Sequence, residues 1–288
     1  MIPVLPPMLF IGHPASTIAE LLQSSPTEES LGYPALDLTG KTAVVIGGTS
    51  GIGLTLALGL ADAGANVVST GRRADLVSSA AKAIEQRQRR TLDLTCDVTQ
   101  RASVQALHDA VTREIGPPDI LVNCAGITKR QSTLDMPEES WNQIMEVNLN
   151  GTLRACQVFG RGMVERGYGR IINTASLSSF VSLYEVAAYA ASKSAVASLT
   201  KSLAIEWGRH GVCVNAIAPG VFRTELNSDL LNGTPRGQEF LLRTPMRRFG
   251  KLEELVGAAV FLASDAASFV SGHVLAVDGG FLASGVNQ

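Results

Sequence analysis

The chain predicts a doubly wound α/β fold, a seven-stranded parallel sheet with helices on both faces, built as a single domain. Three observations predict it. From residue 42 onward, apolar runs of strand length alternate with stretches of helical period. The first run empties into a glycine-rich turn that opens a helix. The 288 residues carry no internal repeat and suit one full-sized α/β core.

Residues 1 to 38 lack this alternation. Prolines at 3, 6, 7, 14, 26 and 34 and a polar stretch at 24–30 mark them as an appended arm. The catalytic or binding domain is expected over residues 39–288. Its strands are read at 42–46, 66–70, 91–96, 120–123, 170–174, 212–217 and 274–277. Near-continuous Val, Ile and Ala in most of them suit strands covered on both faces. Helices are expected at 52–63, 74–89, 101–115, 140–166, 184–210 and 251–263. Between 221 and 250 the pattern breaks around Asn232-Gly233, Pro235 and Pro245, with a short helical piece at 226–231. A connection of that length inside a compact domain reads as a substrate lid.

Charge and composition narrow the function. With 24 basic and 26 acidic residues the net charge is −2, which gives no electrostatic footprint for nucleic acid or an anionic membrane. Cys96, Cys124, Cys156 and Cys213 form no CxxC pair, and His13, His108, His210 and His273 share no ligand spacing, so no metal is assigned. The apolar start carries three prolines and no basic flank. A cytosolic protein with reduced thiols and a small-molecule partner is expected.

Two stretches carry chemistry. Gly47-Gly48-Thr49-Ser50-Gly51-Ile52-Gly53 lies between the first strand and its helix, where backbone N–H groups and a positive helix end suit a pyrophosphate. Such a unit places an acidic residue after the second strand when it holds an unphosphorylated adenosine ribose. Here Gly71 is followed by Arg72 and Arg73, which suits a 2′-phosphate, so NADP(H) is favoured and NAD(H) is left open. The second stretch is Tyr189-Ala190-Ala191-Ser192-Lys193. On a helix its phenol and ammonium share one face, and a nearby positive charge stabilises a phenolate. Ser176 follows the fifth strand, at the edge where ligands of open α/β sheets gather.

Together these motifs resemble the short-chain dehydrogenase/reductase family, a Rossmann-type fold, over about residues 38–280. The glycine turn, Asp97-Val98, Asn123-Cys124-Ala125-Gly126, Asn148, Ser176, Tyr189 with Lys193, and Pro219-Gly220 agree in order and spacing. The resemblance implies an enzyme moving a hydride between a nicotinamide cofactor and a secondary alcohol or ketone. It implies Tyr189 as general acid/base, Ser176 as the group orienting the carbonyl, Lys193 as the group holding nicotinamide ribose and lowering the phenol pKa, and Asn148 as the anchor of a water in the proton relay. It implies cofactor contacts from Gly47, Thr49, Ser50, Gly51, Ile52, Gly53, Arg72, Asp97, Val98, Asn123, Ala125, Gly126, Pro219, Gly220, Phe222 and Thr224.

A homotetramer is implied as well, built on helices 140–166 and 184–210 and the segment near Gly279-Gly280. Two positions depart from the family pattern: Ile46 stands where Thr is usual, and Cys124 where a second Asn is usual. Ile127-Thr128-Lys129-Arg130, Ser176-Leu177-Ser178-Ser179-Phe180 and Thr244-Pro245-Met246-Arg247-Arg248-Phe249-Gly250 resemble the gluconate 5-dehydrogenase branch. A 3-oxoacyl-thioester reductase is the competing enzyme, and a non-catalytic dinucleotide-binding regulator is the competing class. From 221 to 251 six basic residues face three acidic ones, a net +3 on a chain of net −2, which with Lys129 and Arg130 suits an anionic substrate.

Overall fold

Apolar runs too continuous for a half-exposed sheet become central parallel strands here, because helices cover both faces. The computed structural model describes residues 33–224, 231 and 233–285. Its strands are β1 (Thr42–Ile46), β2 (Asn66–Thr70), β3 (Ile120–Asn123), β4 (Gly169–Thr174), β5 (Val212–Pro219) and β6 (Val274–Val277). All pair in parallel in the order β2-β1-β3-β4-β5-β6. The helices are α1 (Gly51–Asp62), α2 (Ala74–Glu85), α3 (Arg101–Glu114), α4 (Glu138–Met145), α5 (Gly151–Arg166), α6 (Ala187–Trp207), α7 (Pro235–Arg243) and α8 (Val256–Ala263). Ala35–Gln288 forms one compact unit.

The period of two along each strand divides the core. Ala43 and Val45 of β1 with Val67 of β2 and Ile172 of β4 pack against Leu56 and Leu60 of α1 and Leu262 of α8. Val44, Ile46, Val68 and Ile171 pack on the other face against Leu107 of α3 and Phe159 and Met163 of α5. Each such Val, Leu, Ile, Phe or Met side chain, fully buried, contributes about 1.5–3 kcal/mol. The edge strand β6 is only half-buried along its length.

The sheet has six strands rather than the expected seven. Residues 91–96 lie along the outer edge of β2 without forming a ladder: Val67 N–H bonds the Arg90 carbonyl and Cys96 N–H the Gly71 carbonyl, at the two ends of the stretch. Between them the Thr70 hydroxyl, a side chain, takes the Leu94 carbonyl, and Asp93 is held by the Ser78 hydroxyl. Side-chain bonds have taken the place of backbone ones.

Two expected helices are interrupted. The one expected at 140–166 is α4 and α5 joined by a π turn, Glu146–Asn150, with Asn148 at its centre. The one expected at 184–210 begins at Ala187, because Glu185 sits at φ +63, outside the helical region. It ends in a 3-10 turn, Gly208–His210, closed by Gly211 at φ +74. The helix expected at 74–89 stops at Glu85, before Gln88 turns to φ +58, and the one expected at 251–263 opens with a 3-10 turn, Leu252–Leu255. Most of the arm expected over residues 1–38, and the helical piece expected at 226–231 apart from Leu231, lie outside the described residues.

The stretch expected as a lid leaves and re-enters the domain at one place. Phe222 bridges Gly250 in parallel, and Gly250 N–H bonds the Val221 carbonyl at 3.0 Å. The excursion that carries α7 is therefore pinned at its base.

One buried polar row ties the middle strands to α6. Asn123 Nδ2 donates to Asn173 Oδ1 at 2.9 Å, Asn173 Nδ2 to Thr200 Oγ1 at 3.0 Å, and Thr200 Oγ1 to the Val196 carbonyl at 2.8 Å. All three side chains are at most 5% exposed. Asn123→Ala, which strips Asn173 of its amide donor, is expected to cost about 1–3 kcal/mol. Urea unfolding checks this: the midpoint falls while the slope stays unchanged.

Candidate active site

In an open parallel sheet the carboxyl edge is where loops from separate strands converge. Here β1 ends into Gly47, β3 into Cys124-Ala125-Gly126, β4 into Ser176 and β5 into Gly220.

The glycine turn is glycine by necessity. Gly47 lies at φ +81, and a Cβ there would meet Ala125 N at 2.4 Å; a Cβ on Gly53 would meet the Gly47 carbonyl at 2.1 Å. The first strand's turn is thus packed directly on the loop after β3. Both Gly47 and Gly48 N–H groups bond the Thr70 carbonyl, and the Ser69 hydroxyl takes the Gly48 carbonyl. Ser50, the N-cap of α1, makes no side-chain cap bond, so the first turn of the helix keeps its N–H groups for another acceptor. Thr49 is buried and Ile52 half-buried, and Thr224 approaches from the lid side: a Cβ on Gly51 would stand 3.6 Å from Thr224 Cγ2. Phe222 is buried with its ring against Gly250. Pro219 ends β5, and Gly220 N–H bonds the Val277 carbonyl at 2.8 Å. Ile46, the first departure from the family pattern, is buried in the core as the last residue of β1.

Beyond β2 the two arginines part. Arg72 is exposed and near enough to Asp97 to help hold its carboxyl below the usual range, an effect led by the Thr99 backbone bond. Arg73 Nη2 donates to Ser50 Oγ at 3.3 Å, so Arg73 is the arginine that touches the glycine turn. The sequence reading named Arg72 alone among site residues. Val98 is buried, packed so closely on Gly151 that a Cβ there would meet Val98 Cγ2 at 2.8 Å.

The remaining residues gather around α6. Lys193 is 4% exposed, and its Nζ donates to the Thr174 carbonyl at 2.6 Å and lies 5.8 Å from the centre of the Tyr189 ring. Burial lowers its pKa to about 8, with Cys124 acting in the other direction. Tyr189 is pushed above its ordinary value by burial, while a hydrogen bond with Ser176 pulls it down. This differs from the expectation of a lowered phenol: enclosure of the ring outweighs the Ser176 bond, and the ammonium points to Thr174. Ser176 Oγ accepts Ser178 N–H at 3.1 Å, which leaves its own hydrogen to be donated.

Asn148 closes a two-bond ring with the Ile127 backbone, accepting its N–H at 2.8 Å and donating to its carbonyl at 2.9 Å, and donates again to Ser192 Oγ at 3.0 Å. Ser192, fully buried, donates in turn to the Tyr189 carbonyl. Sequence reasoning missed Ser192 and Thr174. The signal for Ser192 was its place between Tyr189 and Lys193, whereas nothing in the sequence shows a carbonyl.

A Cβ on Gly126 would stand 3.4 Å from Asn148 Oδ1 and 3.6 Å from Lys193 Nζ, so the cofactor-side loop and the Tyr/Lys helix share one wall. The family model described as Enoyl-(Acyl carrier protein) reductase matches residues 46–282. The chain is 42% identical over 255 residues to gluconate 5-dehydrogenase of Gluconobacter oxydans (strain 621H), covering 88% of this chain and 100% of that protein. To 2-dehydro-3-deoxy-D-gluconate 5-dehydrogenase of Bacillus subtilis (strain 168) it is 44% identical over 252 residues, covering 87% and 98%. The crystal structure of a gluconate 5-dehydrogenase from Burkholderia cenocepacia J2315 in complex with NADP and tartrate matches with a TM-score of 0.84 at 39% identity, covering 87% of this chain and 98% of that one.

The chain belongs to the short-chain dehydrogenase/reductase family. It is an oxidoreductase that moves a hydride between a nicotinamide cofactor and an alcohol or carbonyl carbon. The glycine turn fits the family's dinucleotide, since it leads into the start of α1, where no side-chain cap occupies the first-turn N–H groups that suit a pyrophosphate. Among the described residues no group of three or more His, Cys, Asp or Glu is placed to hold a metal ion, and no helix is long and apolar enough to cross a membrane. The four cysteines are free.

Arg72→Ala and Arg73→Ala are each expected to weaken NADPH binding by about tenfold or more and NADH binding far less, because only NADPH carries the 2′-phosphate. Fluorescence titration of both cofactors measures this, and equal losses for the two would refute it.

Proposed function

We propose that the protein interconverts a hydroxylated carboxylate and its keto form, of the gluconate/5-ketogluconate kind, using NADP(H). What carries this reading is the similarity along nearly the whole domain to dehydrogenases named for sugar acids, one of them crystallised with NADP. A 3-oxoacyl thioester is the rival substrate, and the description of the matching family model names an acyl-carrier substrate of a different kind, an enoyl group. The relatives above point away from it. A purely regulatory role is disfavoured by the retention of Asn148, Ser176, Tyr189 and Lys193 together.

In the proposed roles Tyr189 exchanges the proton at its phenol oxygen with the substrate oxygen. Ser176, hydrogen-bonded to Tyr189, donates its hydroxyl hydrogen to that same oxygen. Lys193 places a positive charge beside the phenol. Asn148 fixes the Ile127 backbone and Ser192, and through Ser192 the start of the Tyr/Lys helix. The nicotinamide, when bound, supplies or receives the hydride; this chain's residues handle the proton. Location in the cytoplasm and assembly as a homotetramer through α4, α5, α6 and the C-terminal segment belong to the same proposal.

Fewer cations are open to an anionic substrate in three dimensions than a count along the sequence suggests. Arg243 pairs with Glu239 at 3.0 Å, Arg248 is held by both oxygens of Glu254, and Arg223 lies over the Phe249 ring. Lys129 Nζ bonds Ser140, and Arg130 pairs with Glu185 at 2.6 Å. Arg236, on α7, reaches across to the Tyr184 carbonyl at 3.1 Å, five residues before Tyr189 in sequence. Arg236, whose bond is to a neutral carbonyl, is therefore the one of these cations best placed to meet a carboxylate.

Tyr189→Phe, which keeps the ring and removes the proton, is expected to lower turnover by about a hundredfold or more with NADPH affinity retained. Near-normal turnover would remove Tyr189 from the acid/base role. The substrate is tested with a spectrophotometric series of sugar acids, neutral polyols and acyl thioesters against both cofactors. Gluconate or its keto form is expected to show the higher kcat/KM than the matching polyol at low salt, and added salt is expected to narrow the difference by screening. An equal or better polyol, or a thioester that outperforms both, overturns the sugar-acid reading and leaves the reductase assignment intact.

A further inference from the structure

Where β3 and β4 end side by side, the first residue beyond β3, Cys124, lies next to the last residue of β4, Thr174, with Sγ 3.0 Å from Thr174 Oγ1. The same Thr174 presents its carbonyl to Lys193 Nζ at 2.6 Å. Cys124 is itself fixed from behind, its N–H bonded to the Ile46 carbonyl at 2.8 Å and its carbonyl carbon 2.7 Å from where a Cβ on Gly47 would stand. A row of contacts thus runs from the glycine turn through a thiol and a hydroxyl to the buried ammonium.

We propose that Cys124 is a positioning residue, whose thiol holds Thr174 so that the Thr174 carbonyl fixes the place and protonation of Lys193. The inference rests on the catalytic role proposed for Lys193. Burial pushes the Cys124 thiol up, so at neutral pH it is an S–H group able to donate or accept, not a thiolate. The titratable side chains facing Lys193 are Cys124 from the end of β3 and Tyr189 from its own helix. The Asn usual in the family at this position also offers a hydrogen bond, and the thiol takes that place here as a smaller partner that reaches Thr174.

The sign follows from the bond. A carbonyl accepting from Lys193 favours its ammonium form, so a displaced Thr174 lowers the fraction of ammonium available to stabilise the Tyr189 phenolate. In the alcohol-oxidising direction, which needs that phenolate, the acid limb of kcat then moves to higher pH.

The test is a set of full-length variants, Cys124→Ala, Cys124→Ser and Thr174→Val, with the double variant Cys124→Ala/Thr174→Val, assayed for kcat and KM across neutral to alkaline pH. Cys124→Ala is expected to lower kcat about tenfold, to leave KM within about twofold, and to raise the acid limb by about half a pH unit. Cys124→Ser, which keeps a hydroxyl donor, is expected to stay near wild type. Thr174→Val is expected to reproduce Cys124→Ala, with the double variant no worse than either single one. Dissociation constants for NADPH, read by fluorescence, are expected to change less than about threefold in all of them. A wild-type pH limb in Cys124→Ala, a Cys124→Ser variant as impaired as Cys124→Ala, or strictly additive losses in the double variant would each overturn the proposal. Lys193→Met serves as the control: if it keeps normal turnover, the catalytic reading of Lys193 fails, which is a separate result from any of these.

Discussion

A buried ammonium is the constraint around which this site is arranged. Removing a lysine from water costs several kcal/mol unless the surroundings supply acceptors, and Lys193 is 4% exposed. The structure meets that cost with one strong bond to the Thr174 carbonyl, and burial still draws the pKa down to about 8. A group with a pKa there changes charge near working pH, which is what a tuned proton site requires and what a surface lysine cannot provide. The strand end meets the ammonium itself, and the hydroxyl of Ser179 bonds the Lys193 backbone carbonyl.

The parts legible in the sequence were those set by local pattern. Six of the seven expected strands appear where apolar runs predicted them. The glycine turn falls between β1 and α1 because only glycine tolerates φ +81 at Gly47 and the approach of the Gly47 carbonyl to Gly53. What stayed hidden depends on partners distant in sequence. A π turn adds one residue within an otherwise unbroken helical period, and its reason, the ring between Asn148 and Ile127, joins positions twenty-one residues apart. The strand expected at 91–96 has the right composition but forms no ladder, and its Leu94 carbonyl is taken by the Thr70 hydroxyl. Arg73 and Arg72 are neighbours in the chain, and only the fold reveals which one reaches Ser50.

Charge shows the same division. A count along residues 221–251 finds the lid basic, yet a count along the chain cannot see that Glu254 and Glu185, both outside that window, neutralise Arg248 and Arg130. Field at a cleft is a property of positions, not of composition. Arg236 gains weight in the structure for the same reason, since it leaves α7 to bond the loop that leads into α6.

The arrangement separates chemistry from selection. Tyr189, Lys193 and Ser176 sit on a helix and a strand end inside a core packed on both faces, where displacement by even a fraction of an ångström is resisted by dense neighbours. The excursion that carries α7 is pinned at its base, Val221 and Phe222 against Gly250, meets the C-terminal segment where Met246 N–H bonds the Gly279 carbonyl and the Ser284 hydroxyl bonds the Arg243 carbonyl, and touches the loop before α6 through the Arg236–Tyr184 bond. The excursion carries none of the residues proposed to handle the proton. That is physical ground for one scaffold to serve relatives named for different substrates, and under the proposed roles it places the choice of alcohol with α7 and the loop at 127–131, apart from Tyr189, Lys193 and Ser176.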